Sequence, residues 1–161
     1  VSLLVVVEGD SDAGFVKGIA ERVCVAVKVR KVRGNRPEKV KRLVEAHHVE
    51  KVVVLKDEHR NPEIVERVER ELRGLAKVIR VKCSLESWIL IGLGAERSEM
   101  CDDPEKKLRE FLARKEHVIE SRGVLIKSDE FYRRLTKEVD INKLKEYSKA
   151  FHEFLKALAS C

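Results

Sequence analysis

Three groups of acidic side chains each follow an apolar run: Glu8, Asp10 and Asp12 after Leu3 to Val7, Asp57 and Glu58 after Val52 to Leu55, and Glu86, with Ser84, after the run ending at Lys82. In an open parallel sheet, ligands gather beyond the carboxyl ends of the strands, where the following loops converge. Carboxylates brought there from separate strands would repel one another, and a hard cation such as Mg²⁺ or Mn²⁺ would make the arrangement tolerable. Singly, each acid has a simpler use, because a carboxylate near a helix N-terminus complements the macrodipole. Three groups at one edge are what point to chemistry. Gly9, directly after a strand, permits a tight turn and close approach of the backbone to a ligand. Neither G-x-x-x-x-G-K-[ST] nor G-x-G-x-x-G occurs, so P-loop and dinucleotide-binding readings are excluded.

The groups converge only if the elements between them place them so. Leu3 to Val7 reads as a buried strand, and Phe15, Val16, Ile19, Ala20 and Val23 make the apolar face of a following helix. Val25, Val27 and Val29 alternate with polar or small residues, as on a half-exposed strand near a sheet edge that ends near Val32. Pro37 opens a helix that buries Val40, Leu43 and Val44. Val52 to Leu55 is a second buried strand ending at the turn Lys56 to His59, and Asn61-Pro62 opens a helix that Gly74 ends. Lys77 to Lys82 is a fourth strand, and Ser84 caps a helix over Leu85 to Leu93 in which Trp88 reads as core packing. Strands alternating with helices of about ten residues imply a parallel α/β sheet of about four strands with crossover helices. Beyond it, Asp103-Pro104 caps a helix, Val124 to Ile126 reads as a short strand, and Asp129 to Leu135 and Ile141 to Leu158 read as helices. Residues 1–95 are therefore expected to form an α/β core, and 96–161 a mainly helical extension packed on it within one compact domain.

At 161 residues, 39% charged and 43% apolar, the chain has the composition of a globular protein, and no apolar run approaches the length of a membrane span. Cys24, Cys83, Cys101 and Cys161 form no C-x-x-C pair, which fits reduced thiols and a cytoplasmic location, with Cys83 a small buried residue. Gln is absent and Lys, Arg, Glu and Val abound, a bias associated with thermophilic proteins. The net charge of +6 favours a polyanionic partner. Between Lys28 and Arg42 lie eight basic residues against one acid, and Arg30, Arg33, Arg36 and Lys39 are the candidates to track a phosphate backbone. The competing use of such a run is to protect an edge strand from pairing with other sheets. Aromatic residues amount to 5%, too few for base stacking to dominate binding.

The strand followed by Glu8-Gly-Asp-Ser-Asp12, the strand followed by Asp57, and Ser84-Leu-Glu86-Ser-Trp-Ile-Leu together resemble a TOPRIM domain, the Mg²⁺-binding module of topoisomerases, bacterial primases and certain nucleases. More narrowly, they are similar to the variant in OLD-family nucleases and small stand-alone TOPRIM-like proteins, which carry an E-x-x-x-D turn, a D-x-D, an S-x-E and a later Lys. The resemblance covers residues 1–95. It implies a TOPRIM-like sheet in which Glu8 is a metal ligand or general acid/base, and Asp12, Asp57 and Glu86 are metal ligands. It also implies that Ser84 orients them and Lys127 faces the phosphate. The second acid of D-x-D is replaced by His59, with Glu58 beside it. Imidazole in that position shifts the preference from Mg²⁺ toward Mn²⁺, unless Glu58 substitutes or catalysis is lost.

The expected activity is divalent-metal-dependent action on nucleic-acid phosphodiesters, DNA ahead of RNA, with no membrane partner and room for a homodimer. The alternative is a catalytically silent TOPRIM-like module that binds nucleic acid or nucleotide or regulates a partner. A receiver-like phosphoacceptor at Asp57 fits the first acids but not the Ser84-x-Glu86 turn or the helical tail.

Overall fold

Continuous β-branched runs favour strands buried on both faces. In the computed structural model, which describes residues 3–58, 62–96, 101–114 and 126–159, two such runs form the centre of the sheet. These are β1 (Leu3–Val7) and β3 (Lys51–Asp57), flanked by β2 (Lys28–Lys31) and β4 (Lys77–Val81) in the all-parallel order β2-β1-β3-β4.

The two faces are covered unequally. Leu4 and Val6 of β1 and Val52 and Val54 of β3 pack with Val40 of α2 (Pro37–His47) and Val68 of α3 (Pro62–Glu71). Their strand neighbours Leu3, Val5, Val7, Val53 and Leu55 face the larger core. That core is shared by α1 (Asp10–Arg22), α4 (Leu85–Gly92), α5 (Pro104–Arg114), α6 (Asp129–Leu135), α7 (Ile141–Tyr147) and α8 (Lys149–Ala159). Trp88 of α4 is 2% exposed and meets Phe151 edge-on with ring centroids 5.2 Å apart. It also lies beside Phe15 and Phe154, so one aromatic cluster joins α1, α4 and α8. The C-terminal helices thus build the main core with the sheet.

Two glycines let α6 lie directly on α1. A Cβ on Gly14 would fall 2.0 Å from the Asp129 carbonyl oxygen, and one on Gly18 would fall 1.9 Å from Thr136 Oγ1. This approach carries Tyr132 over the carboxyl end of the sheet.

Four expectations are corrected. Strand β3 continues through Lys56 and Asp57, which therefore point to opposite faces where a turn was expected. Strand β2 starts at Lys28, and Val25 and Val27 pack on the core ahead of it. The helix expected over 141–158 breaks at Ser148, which has φ −115° and ψ 113° and whose hydroxyl accepts the Phe151 N–H at 3.1 Å, starting a new helix. Cys83 and Cys101 are joined in a disulfide with Cα atoms 5.3 Å apart, where free thiols were expected. Tertiary proximity across 18 residues of sequence supplies that pairing, and no local spacing motif announces it. Of the expected strand 124–126, residues 124 and 125 lie outside the described residues, and Ile126 is in no strand. Among the described residues, no helix is long and apolar enough to cross a membrane.

Candidate functional site

From β1 the chain passes through α1 to β2 on one side, whereas β3 lies on the other side of β1, so the winding reverses between β1 and β3. Such a switch point opens a crevice at the carboxyl ends of the strands. There the structure has a cleft of about 690 Å³, lined by Glu8, Asp12, Asp57, Ser84, Glu86 and Lys127 among others. The acids that lay 78 residues apart or less in sequence are thus brought into one pocket.

Strand parity divides the cleft. Glu8 continues the side of β1 that carries Leu4 and Val6, and Lys56 continues the side of β3 that carries Val52 and Val54. The parallel register sets them side by side, and Lys56 Nζ pairs with Glu8 Oε1. The next neighbour on this face is Arg80, in register with Lys56 on β4. Arg80 lies 3.7 Å from Glu58, 2.9 Å from Glu69 and 3.6 Å from Glu66. This half of the cleft is charge-balanced. Burial lowers the pKa of Lys56, and the neighbouring Asp57 carboxylate works against that shift.

The opposite half is crowded with negative charge. Asp57 points there from β3, Asp12 comes from the first turn of α1, and Glu86 comes from the first turn of α4. Burial raises the pKa of Asp57 well above the usual carboxylate range, and Asp12 and Glu86 raise it further. Burial and Glu86 push Asp12 up to about 6. Each of the three is turned to a donor of its own. The Gly9 N–H donates to Asp12 Oδ2 at 3.1 Å, the Leu85 N–H donates to Asp57, and the Tyr132 hydroxyl donates to Glu86 Oε1 at 3.0 Å. Burial and Glu86 hold the Tyr132 phenol strongly above its ordinary pKa, so it stays a donor. Lys127 Nζ stands 3.7 Å from Glu86 and 3.6 Å from Glu105 of α5. Burial disfavours its charge, but Glu86, Glu105 and Asp12 outweigh burial and keep it an ammonium.

Glu86 is buried and Asp12 and Asp57 are half-buried, and mutually repelling carboxylates have the oxygen chemistry a hard divalent cation takes. Among the described residues, no three His, Cys, Asp or Glu side chains already stand close enough to share an ion.

Other expected residues take plainer places. Gly9 has φ −146° and ψ −179°, extended backbone that any residue adopts, so the turn does not need its freedom; its contribution is the N–H to Asp12. Ser84 occupies the N-cap of α4 without a side-chain cap bond, and its carbonyl accepts the Ser87 hydroxyl at 2.5 Å. His59 lies outside the described residues. Arg30 on the edge strand, Arg33 and Arg36 around the turn after it, and Lys39 in the first turn of α2 are all exposed.

Sequence reasoning missed Lys56, Tyr132, Glu105 and the disulfide. A lysine continuing a buried apolar run was a legible signal for Lys56, since such a charge needs a partner. Tyr132 and Glu105 carried none, because they reach the cleft only through the packing of α5 and α6. The disulfide forms part of the wall, with Cys83 just before α4 and Cys101 just before α5.

Neither a known protein family, nor a curated protein, nor a solved structure matches the chain.

Proposed function

We propose that the chain is a divalent-metal-dependent, TOPRIM-like phosphodiesterase that acts on nucleic acid, with DNA the favoured substrate. The observation that carries this reading is the convergence of Asp12, Asp57 and Glu86 in one cleft at the strand-order switch, where Glu86 raises the pKa of Asp12 and both raise that of Asp57. Asp12, Asp57 and Glu86 would hold Mg²⁺ or Mn²⁺. When bound, that ion would polarise a phosphodiester and lower the pKa of an attacking water. The chain's own groups do the rest. Lys127, held by Glu86 and Glu105, offers positive charge to a phosphate oxygen. Tyr132 donates to Glu86 Oε1, the oxygen that Lys127 also faces, and so fixes that carboxylate. Glu8, a quarter exposed and paired with Lys56, would take or give a proton at the β1 side. Arg33 and Arg36, past the end of β2 and on the same rim, would follow the phosphate backbone outward.

The test is cleavage of end-labelled DNA and RNA in Mn²⁺ and in Mg²⁺ by the full chain. Asp57→Asn is expected to lower the metal-dependent rate by about 10²–10³-fold, the usual effect of removing one electrostatic contact to the transition state. An unchanged rate in Asp57→Asn would sink the reading. A second reading, a silent nucleic-acid-binding module, is favoured by the exposed basic edge of β2, which needs no carboxylate to bind phosphate. Salt-dependent binding without turnover in either metal would select it.

A further inference from the structure

We propose that the Cys83–Cys101 disulfide is a redox latch on the cleft: a dithiol donor reduces it in the folded chain, and the first turn of α5, with Glu105, then moves away from Lys127. The latch needs no bound ion and works whether or not the cleft is a phosphodiesterase. Cys83, Cys101, Asp103, Pro104 and Glu105 all line the cleft, so the bond ties the start of α4 to the start of α5 along one wall. The two starts are held very differently. All eight residues of α4 are buried, whereas Cys101, Asp102, Asp103 and Glu105 are exposed. The polar contacts of Asp102 and Asp103 run forward into α5. Asp103 Oδ1 accepts the Lys106 N–H at 3.4 Å, the Asp103 carbonyl accepts the Lys107 N–H at 3.1 Å, and Asp102 lies 3.9 Å from the Lys107 ammonium. Among the described residues, the disulfide is the bond that joins this stretch to α4.

The backbone beside the bond has somewhere to relax to. Cys83 has φ +67° and Asp103 has φ +46°, left-handed values that a residue other than glycine keeps only while its surroundings impose them. Cutting the bond removes that constraint, and Asp103, on returning to ordinary backbone, withdraws the oxygens that receive the first N–H groups of α5. The change stops at Leu108, because Leu108 and Leu112 are fully buried in the main core. Lys127, which stands 3.6 Å from Glu105 and 3.7 Å from Glu86, then keeps Glu86 and loses Glu105. Access favours the exchange, since Cys101 is exposed and Cys83 half-buried. A donor thiolate attacks Cys101 Sγ, the bond to Cys83 Sγ breaks, and its electron pair leaves on Cys83, which takes a proton. The donor's second thiolate then attacks the mixed disulfide, releasing Cys101, which is protonated in turn, and the donor departs as a disulfide.

The experiment links touching carboxylates and amines of the full chain with a carbodiimide, before and after dithiothreitol, and quantifies the linked peptides by mass spectrometry. Near-ultraviolet circular dichroism of the Trp88 cluster verifies folding. In the oxidised chain, Glu105–Lys127 and the distant pair Lys77–Glu153, 3.1 Å apart, should both be linked. On reduction two thiols per chain should appear, the Glu105–Lys127 product should fall at least about fivefold, and the Lys77–Glu153 product should stay constant. Cys101→Ser should behave as the reduced chain with or without dithiothreitol, and Cys24→Ser, at an exposed free cysteine, as the wild type. A smaller fall on reduction, or no Glu105–Lys127 product in the oxidised chain, would overturn the proposal. So would a bond that dithiothreitol opens only as the Trp88 cluster unfolds. If Cys101→Ser does not fold, the oxidised and reduced wild type still decide it.

Discussion

The two halves of the cleft are made from the same strand ends, yet they handle charge in opposite ways. On the α2 and α3 face, Glu8 meets Lys56 and Glu58 meets Arg80, so every acid there has a basic neighbour supplied by an adjacent strand. On the α1 and α4 face, Asp12, Asp57 and Glu86 are pressed together with backbone N–H groups, a tyrosine and a shared lysine as partners. The balanced half can be understood as structure. The crowded half costs stability, since burial and like charges both disfavour its carboxylates.

The largest test of this contrast concerns the wall of the crowded half. Reduction of the Cys83–Cys101 disulfide, or Cys101→Ser, should lower the free energy of unfolding by about 3 kcal/mol, from the loop entropy over a separation of 18 residues. Denaturant titration with and without reductant measures it, and equal midpoints would mean that the wall holds without the bond. Next comes Asp12→Asn. The folded pKa of about 6 lies above the ordinary 3.8, so the wild type loses stability as pH rises from about 4 through about 6. The variant should therefore be more stable above pH 6, by up to about 3 kcal/mol, and lose that advantage below about pH 4. Melting temperatures at pH 4 and pH 8 check the sign; a variant less stable at pH 8 would remove the notion of a crowded half. Tyr132→Phe deletes the buried donor to Glu86 and should cost about 1–2 kcal/mol, read from chemical denaturation. The smallest effect belongs to the balanced half. Glu58→Gln should change stability by no more than about 0.5 kcal/mol, because Arg80 keeps Glu66 and Glu69; a loss above 1 kcal/mol would show that this half is the more finely poised one.

Much of the architecture could be read from local pattern. The apolar runs of β1 and β3 and the helical spacing of α1, α2 and α3 are strong signals, because burial on one face imposes a period. The edge character of β2 was legible from its lysines and arginines. Helix α4 was placed less from period than from Ser84 and its glycines, since all eight of its residues are buried and no face is polar. The acids could be found because each lies at or within a few residues of a strand's end. The division among them could not, since it depends on two residues of strand length: had β3 stopped at Leu55, the parity of Lys56 and Asp57 would have been undefined.

Residue order along the chain settled which side chains sit at strand ends and which segments become strands or helices, because those depend on neighbours within a few positions. Three things were decided only when the elements packed. The strand order put β1 beside β3, the close crossing of Gly14 and Gly18 on α6 set Tyr132 against Glu86, and the approach of two helix starts brought Cys83 to Cys101. Each joins groups 18 to 118 residues apart, and a contact at that range is chosen by which surfaces bury most together, a property of the assembled core that no local spacing records.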